Sequence, residues 1–167
     1  MATAGEEAVE PAFLQIAEFC QSILDVGGSP KSQEAMLHSA RVALPPSAFL
    51  LLRYLELAGP LTVSQLADIV GLHPSTVSSQ LRPLTSKKFV RRAIDTEDHR
   101  IVALSITMAG RSVCDRVRRA GAREWTLALK GWTQEDREHL GSLLKRAHDD
   151  LFAMIHERVE SAQLKPA

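Results

Sequence analysis

LTVSQLADIVGLHPSTVSSQLRPLTSKKFVRRAIDTEDHRIVALSITMAG, from Leu61 to Gly110, decides the fold. Val63, Leu66, Ala67 and Val70 recur at helical spacing until Gly71 breaks the pattern. A second helix opens near Pro74 with Val77, Leu81 and Leu84 on its inward side and Ser75, Thr76, Ser78, Ser79 and Arg82 on the other. Short hydroxyl side chains keep a helix thin enough to enter a DNA major groove and bond phosphates or base edges. Phe89-Val90 and Ile101 to Leu104 are short β-prone runs joined by a charged loop, Ala93 to Arg100, as expected of a hairpin with a long tip. The tip holds Asp98, His99 and Arg100, and a carboxylate two residues before an arginine can aim the guanidinium into a narrow minor groove. Arg92 is an alternative partner for Asp98, and His99 is either solvated or a phosphate contact. The fold class that follows is mainly α with a small β-hairpin wing, a winged helix-turn-helix.

Several short motifs stand in order: Leu61-Thr62, Gln65-Leu66-Ala67, the Ser/Thr-rich helix from Pro74, Phe89 to Arg92, Asp98 to Arg100, and Ile106 to Gly110. In that order and spacing the chain resembles the MarR family of bacterial transcriptional regulators from about Pro46 to Leu151. The resemblance implies a homodimer whose terminal helices interlock on double-stranded operator DNA, with the helix starting near Pro74 in the major groove and Arg100 in the minor groove. It also implies an effector site between dimer helices and DNA-binding lobe, with Arg41, Arg53, Tyr54 and Trp125 as neighbours for a small aromatic or anionic molecule. The chain departs from the family pattern at Lys88, where glycine is usual, and at Pro83, where a basic residue is common. Proline that far into a helix removes a hydrogen bond and clashes with the preceding turn, so a kink or early end near Arg82 is expected.

Lysine plus arginine balance aspartate plus glutamate at 20 each, so charge announces no partner globally. Its distribution does: residues 1–71 carry a net charge of −5 and residues 73–112 a net +4. Screening sets in beyond about 8 Å at physiological salt, so distant acids do not cancel a local basic patch. The acidic N-terminus, with Glu6, Glu7 and Glu10, does not read as a secretory signal, and no apolar run approaches membrane-spanning length, so a cytoplasmic protein without membrane contact is expected.

Along the 167 residues, residues 1–9 read as a disordered acidic tail, 10–160 as one domain, and 161–167 as a frayed end. Within that domain 46–107 form the winged helix-turn-helix, while 10–44 and 108–160 supply helices for dimerisation. Pro11 starts a helix that Gly27-Gly28 stops; Ser29-Pro30 opens a connector; Gln33 to Val42 and Ser47 to Leu57 are helical. Thr107 caps a long helix that Gly131 interrupts, and Thr133 starts the last, with Asp136 completing a capping box. The apolar stripe of that last helix, from Leu140 to Val159, exceeds what so small a sheet can cover, which points to a second subunit.

Cys20, on an apolar stripe without a cation in reach, reads as a buried core cysteine rather than a sensing thiol. Cys114 reads the same way. His38, His73, His99, His139, His148 and His156 include no i, i+4 pair, so no metal site is expected, and His73 reads as a cap before the recognition helix. No Gly-rich phosphate loop, nucleophile elbow or paired catalytic carboxylates appear, so neither an enzyme nor a cofactor is expected. Two other readings stay open: a winged helix that docks proteins without touching DNA, and a thiol-based redox regulator.

Overall fold

The computed structural model describes residues 10–94 and 102–163. Its elements run α1 (Pro11–Gly27), α2 (Pro30–Ser39), α3 (Pro46–Ala58), α4 (Val63–Val70), α5 (Pro74–Ser86), β1 (Val90–Ile94), β2 (Val102–Ile106), α6 (Met108–Ala128) and α7 (Gln134–Gln163). The chain divides into two compact units, Met1–Ala122 and Arg123–Ala167.

The first unit is built around one apolar core. Leu51, Leu52 and Leu55 of α3, Leu66 and Ala67 of α4, and Val77, Leu81 and Leu84 of α5 are all buried. Val90 and Leu104 of the hairpin and Val113 of α6 close it. β1 and β2 pair antiparallel, Val90 opposite Ile106 and Ile94 opposite Val102. Leu61 extends this two-stranded sheet by one bridge: its N–H donates to the Leu104 carbonyl at 3.1 Å and its carbonyl accepts from the Leu104 N–H at 2.7 Å. The hairpin is thereby tied to the segment that enters the helix-turn-helix.

Local chemistry sets most boundaries. Thr62 and Gln65 form a reciprocal capping box at the start of α4, and Gly71, at φ 65°, ends it in the left-handed region. The Thr107 hydroxyl accepts from the Gly110 N–H at 3.1 Å, capping α6, and donates to the Lys88 carbonyl at 2.8 Å. In the second unit the Thr133 hydroxyl accepts from the Asp136 N–H at 3.1 Å and lies 2.6 Å from its carboxylate, starting α7.

Several expectations are corrected. Ser29-Pro30 is not a connector but the N-cap and first turn of α2: the Ser29 hydroxyl accepts from the Ser32 N–H, and proline at the first helical position gives up no bond the helix needs. The early end near Arg82 does not occur, for α5 runs through Pro83 to Ser86. Leu81 and Leu84 flank the proline and are both fully buried, and Phe89 N–H closes the end on the Leu84 carbonyl at 2.9 Å. Packing on both sides holds what propensity opposes. Lys88, in place of the usual glycine, adopts φ 57° and accepts the left-handed strain. The strands are Val90–Ile94 and Val102–Ile106, so Phe89 belongs to the turn. α7 continues to Gln163, past the expected end at 160. Cys20 is exposed, not buried, because no described residue of α1 is buried within the chain.

Gly110 seats α6 closely against the turn before β1 and against β2. A Cβ there would stand 2.3 Å from the Phe89 carbonyl oxygen and 2.7 Å from Ile106 Cγ1. Gly110→Ala should therefore cost about 1–3 kcal/mol through backbone displacement, despite alanine's better helix propensity. Urea unfolding checks this; an equal or higher midpoint would contradict so close a seat.

Candidate nucleic-acid interface

The turn from Gly71 delivers His73 as the N-cap of α5: its Nδ1 accepts from the Ser75 N–H at 3.3 Å and lies 2.8 Å from the Ser75 hydroxyl. The cap sets the entry angle of the helix and holds Ser75 at its first turn. From there the two faces separate cleanly. Val77, Leu81 and Leu84 are buried, whereas Pro74, Ser75, Thr76, Ser79 and Arg82 are exposed and Ser78 is half-buried. A helix anchored on one side and hydroxyl-rich on the other presents donors and acceptors without long side chains to hold a groove off.

The hairpin flanks this helix with cations. β1 carries Arg91 and Arg92, both exposed, and Lys87 and Lys88 precede it. Neither α5 nor β1 contains an aspartate or glutamate. Ser78, Arg82 and Arg92 come together along an open groove of about 350 Å³ between α5 and β1. Asp98, His99 and Arg100, the expected wing tip, lie outside the described residues.

The residues expected around an effector are dispersed over several elements. Arg41 is exposed at φ 54° beyond the C-terminus of α2, and Arg53 and Tyr54 are half-buried neighbours on α3. Trp125, 42 % exposed, stands in the second unit.

A cluster that the sequence reading missed ties α3 to α6. The Glu56 carboxylate accepts from the Arg53 guanidinium and, at 3.1 Å, from that of Arg118, which also bonds Asp115 at 2.6 Å. The Arg118 hydrogen bond holds the Asp115 carboxyl below its ordinary value. Sixty-two residues separate Glu56 from Arg118, so no spacing rule reveals the pair. Cys114 is buried beside it. Burial first, and then the Glu56 charge, push its thiol from 9.0 to about 12.

Two consequences follow for this thiol. At pH 8 iodoacetamide should modify Cys114 only after denaturation, which mass spectrometry of its peptide reads directly; native labelling of Cys114 would show that its burial is wrong. A raised folded pKa also contributes stability that is present below the unfolded value, so this contribution should be lost as pH rises from about 9 to about 12.

Among the described residues, no group of three or more His, Cys, Asp or Glu side chains could hold a metal ion, and no helix is long and apolar enough to cross a membrane.

The family model described as MarR family matches residues 44–102. YxaD of Bacillus subtilis (strain 168), an uncharacterized HTH-type transcriptional regulator, is 33% identical over 103 residues, 62% of this chain and 72% of its own length. Among solved structures, the transcriptional regulator Tm0710 from Thermotoga maritima shares the fold with a TM-score of 0.64 at 20% identity, covering 88% of this chain and 99% of its own. A mutant MepR from S. aureus, bound to an oligodeoxyribonucleotide, aligns with a TM-score of 0.56 at 18% identity, covering 85% and 99%.

Proposed function

The chain belongs to the MarR family and is a transcriptional regulator of the winged helix-turn-helix fold; from that premise we propose that it binds a pseudo-palindromic double-stranded operator as a homodimer and represses until a small aromatic or anionic effector weakens its hold. The observation that carries this reading is the exposed hydroxyl face of α5 over a buried apolar face, flanked by cations without a carboxylate on either element. A protein that only docks other proteins has no need of that charge pattern.

In this reading Pro74, Ser75, Thr76, Ser78, Ser79 and Arg82 enter the major groove, Arg92 flanks it, and Asp98, His99 and Arg100 form the wing tip, with Arg100 in the adjacent minor groove. Residues 10–44 and 108–160 supply the dimer contacts. Phe13, Ile16 and Leu24 of α1 and Leu144 and Leu151 of α7 support this, all being about half exposed or more in the single chain, an apolar display that a second subunit would cover. In the first unit the effector would meet Arg41, Arg53 and Tyr54. The Glu56 bridge between α3 and α6 offers a way for such a molecule to act on the lobe, by competing for Arg53 or Arg118.

Arg100→Ala tests the wing. It should cost about 1–3 kcal/mol per half-site, most on operators flanked by narrow A·T tracts, and Asp98→Ala should give a milder form of the same loss. Fluorescence anisotropy with the DNA upstream of the protein's own coding sequence reads both. Unchanged affinity for Arg100→Ala would favour the docking-module reading instead.

A further inference from the structure

Six residues line the groove between α5 and β1: Ser78, Leu81, Arg82, Thr85, Ser86 and Arg92. Ser78, Arg82, Thr85 and Ser86 stand at i, i+4, i+7 and i+8, one stripe along α5. Arg92 reaches the same groove because a strand alternates: it shares a face with buried Val90, two residues earlier, and so leans toward α5, while Arg91 points the other way. The Thr85 hydroxyl donates back to the Leu81 carbonyl at 3.1 Å and that of Ser86 to the Pro83 carbonyl at 3.2 Å. The donors left to the groove are then two guanidiniums and the Ser78 hydroxyl, above the apolar Leu81.

Two like charges along one concavity, with no acidic residue on either flanking element, call for an anion between them. The volume, about 350 Å³, equals roughly ten waters' share of liquid, room for one phosphodiester and its adjoining sugars. Arg82 is also the ninth residue of α5, whereas base edges are met by the N-terminal residues of a recognition helix. Resting on the DNA-binding reading above, we propose that Arg82 and Arg92 hold one backbone phosphate of the duplex in this groove. Arg82 thereby fixes the depth and register of α5, and base reading falls to Ser75, Thr76 and Ser79.

Full-length Arg82→Ala, Arg92→Ala and the double variant, each first checked by circular dichroism, are titrated by anisotropy against two duplexes: the upstream DNA and a shuffled sequence of equal composition. Each single variant should lose about tenfold on both duplexes alike, and the double variant little more than about tenfold, because both side chains serve one phosphate. Arg82→Lys with Arg92→Lys should recover most of the loss, since an ammonium also pairs with phosphate, whereas a bidentate base contact would stay lost. A loss near a hundredfold in the double variant would mean two independent contacts and overturn the shared site. Loss confined to the upstream duplex would make Arg82 a base reader, and no loss would empty the groove of any role. A free oxyanion offers the same chemistry. Calorimetric binding of inorganic phosphate without DNA, abolished in the double variant, would reassign the groove to that source. If the wild type binds neither duplex, the DNA-binding reading itself fails, a result distinct from all of these.

Discussion

Lysine at both Leu144 and Leu151 should leave the protein monomeric and lower its affinity for operator DNA by at least a hundredfold. Both side chains are about half exposed on α7, at 51 % and 50 %. Two turns apart, they fall on one face. In a dimer closed through these helices each substitution would be made twice, setting four ammonium groups where apolar contact is proposed; burying an unpaired charge costs several kcal/mol. Loss of the dimer also removes the second half-site, so a protein that reads a palindrome through two copies of α5 loses the binding energy of one. Sedimentation velocity at micromolar concentration checks the first part. A wild type already monomeric there, or a double variant that stays dimeric and keeps its affinity, would rule out a dimer closed through these helices.

Leu81→Ala should cost about 2–5 kcal/mol of folding stability, the range of a large-to-small change in a well-packed core. Leu81 is 1 % exposed and stands two residues before Pro83. It is one of the two anchors that keep α5 helical across the proline, so its truncation should also free the segment from Arg82 to Ser86. Urea denaturation reads the stability, and amide exchange across residues 82–89 should accelerate beyond what the global loss alone explains. A cost below about 1 kcal/mol, with exchange unchanged, would mean that α5 passes Pro83 by some means other than packing.

The helix-turn-helix was legible because its punctuation is local. Gly71, Pro74, Thr107 and Thr133 each act within a turn of their own position, through a cap, a left-handed residue or a missing N–H, and each stands at a boundary in the structure. What failed depended on partners distant in sequence. Pro83 was read by propensity alone, yet buried neighbours on both sides outweigh it. Ser29-Pro30 has the composition of a connector and of a helix start, and the Ser32 amide decides between them. The exposure of Cys20 could not be read because an apolar stripe states that a helix has something to bury, not against what. The same holds for the site. Local alternation placed the hydroxyl face of α5, but Arg82 and Arg92 meet only through the packing of β1 on that helix, and Glu56 and Arg118 only through α3 against α6.

Sequence-specific binding is measured most directly by comparing wild-type affinity for the upstream duplex with that for the shuffled duplex at one fixed salt concentration near physiological strength. A sequence-specific regulator binds its site typically about 10³-fold or more tighter than unrelated DNA, because base contacts add to a backbone term common to both. Such a ratio is expected, with two protomers per duplex. Equal affinities for the two sequences, or no binding to either, would contradict it.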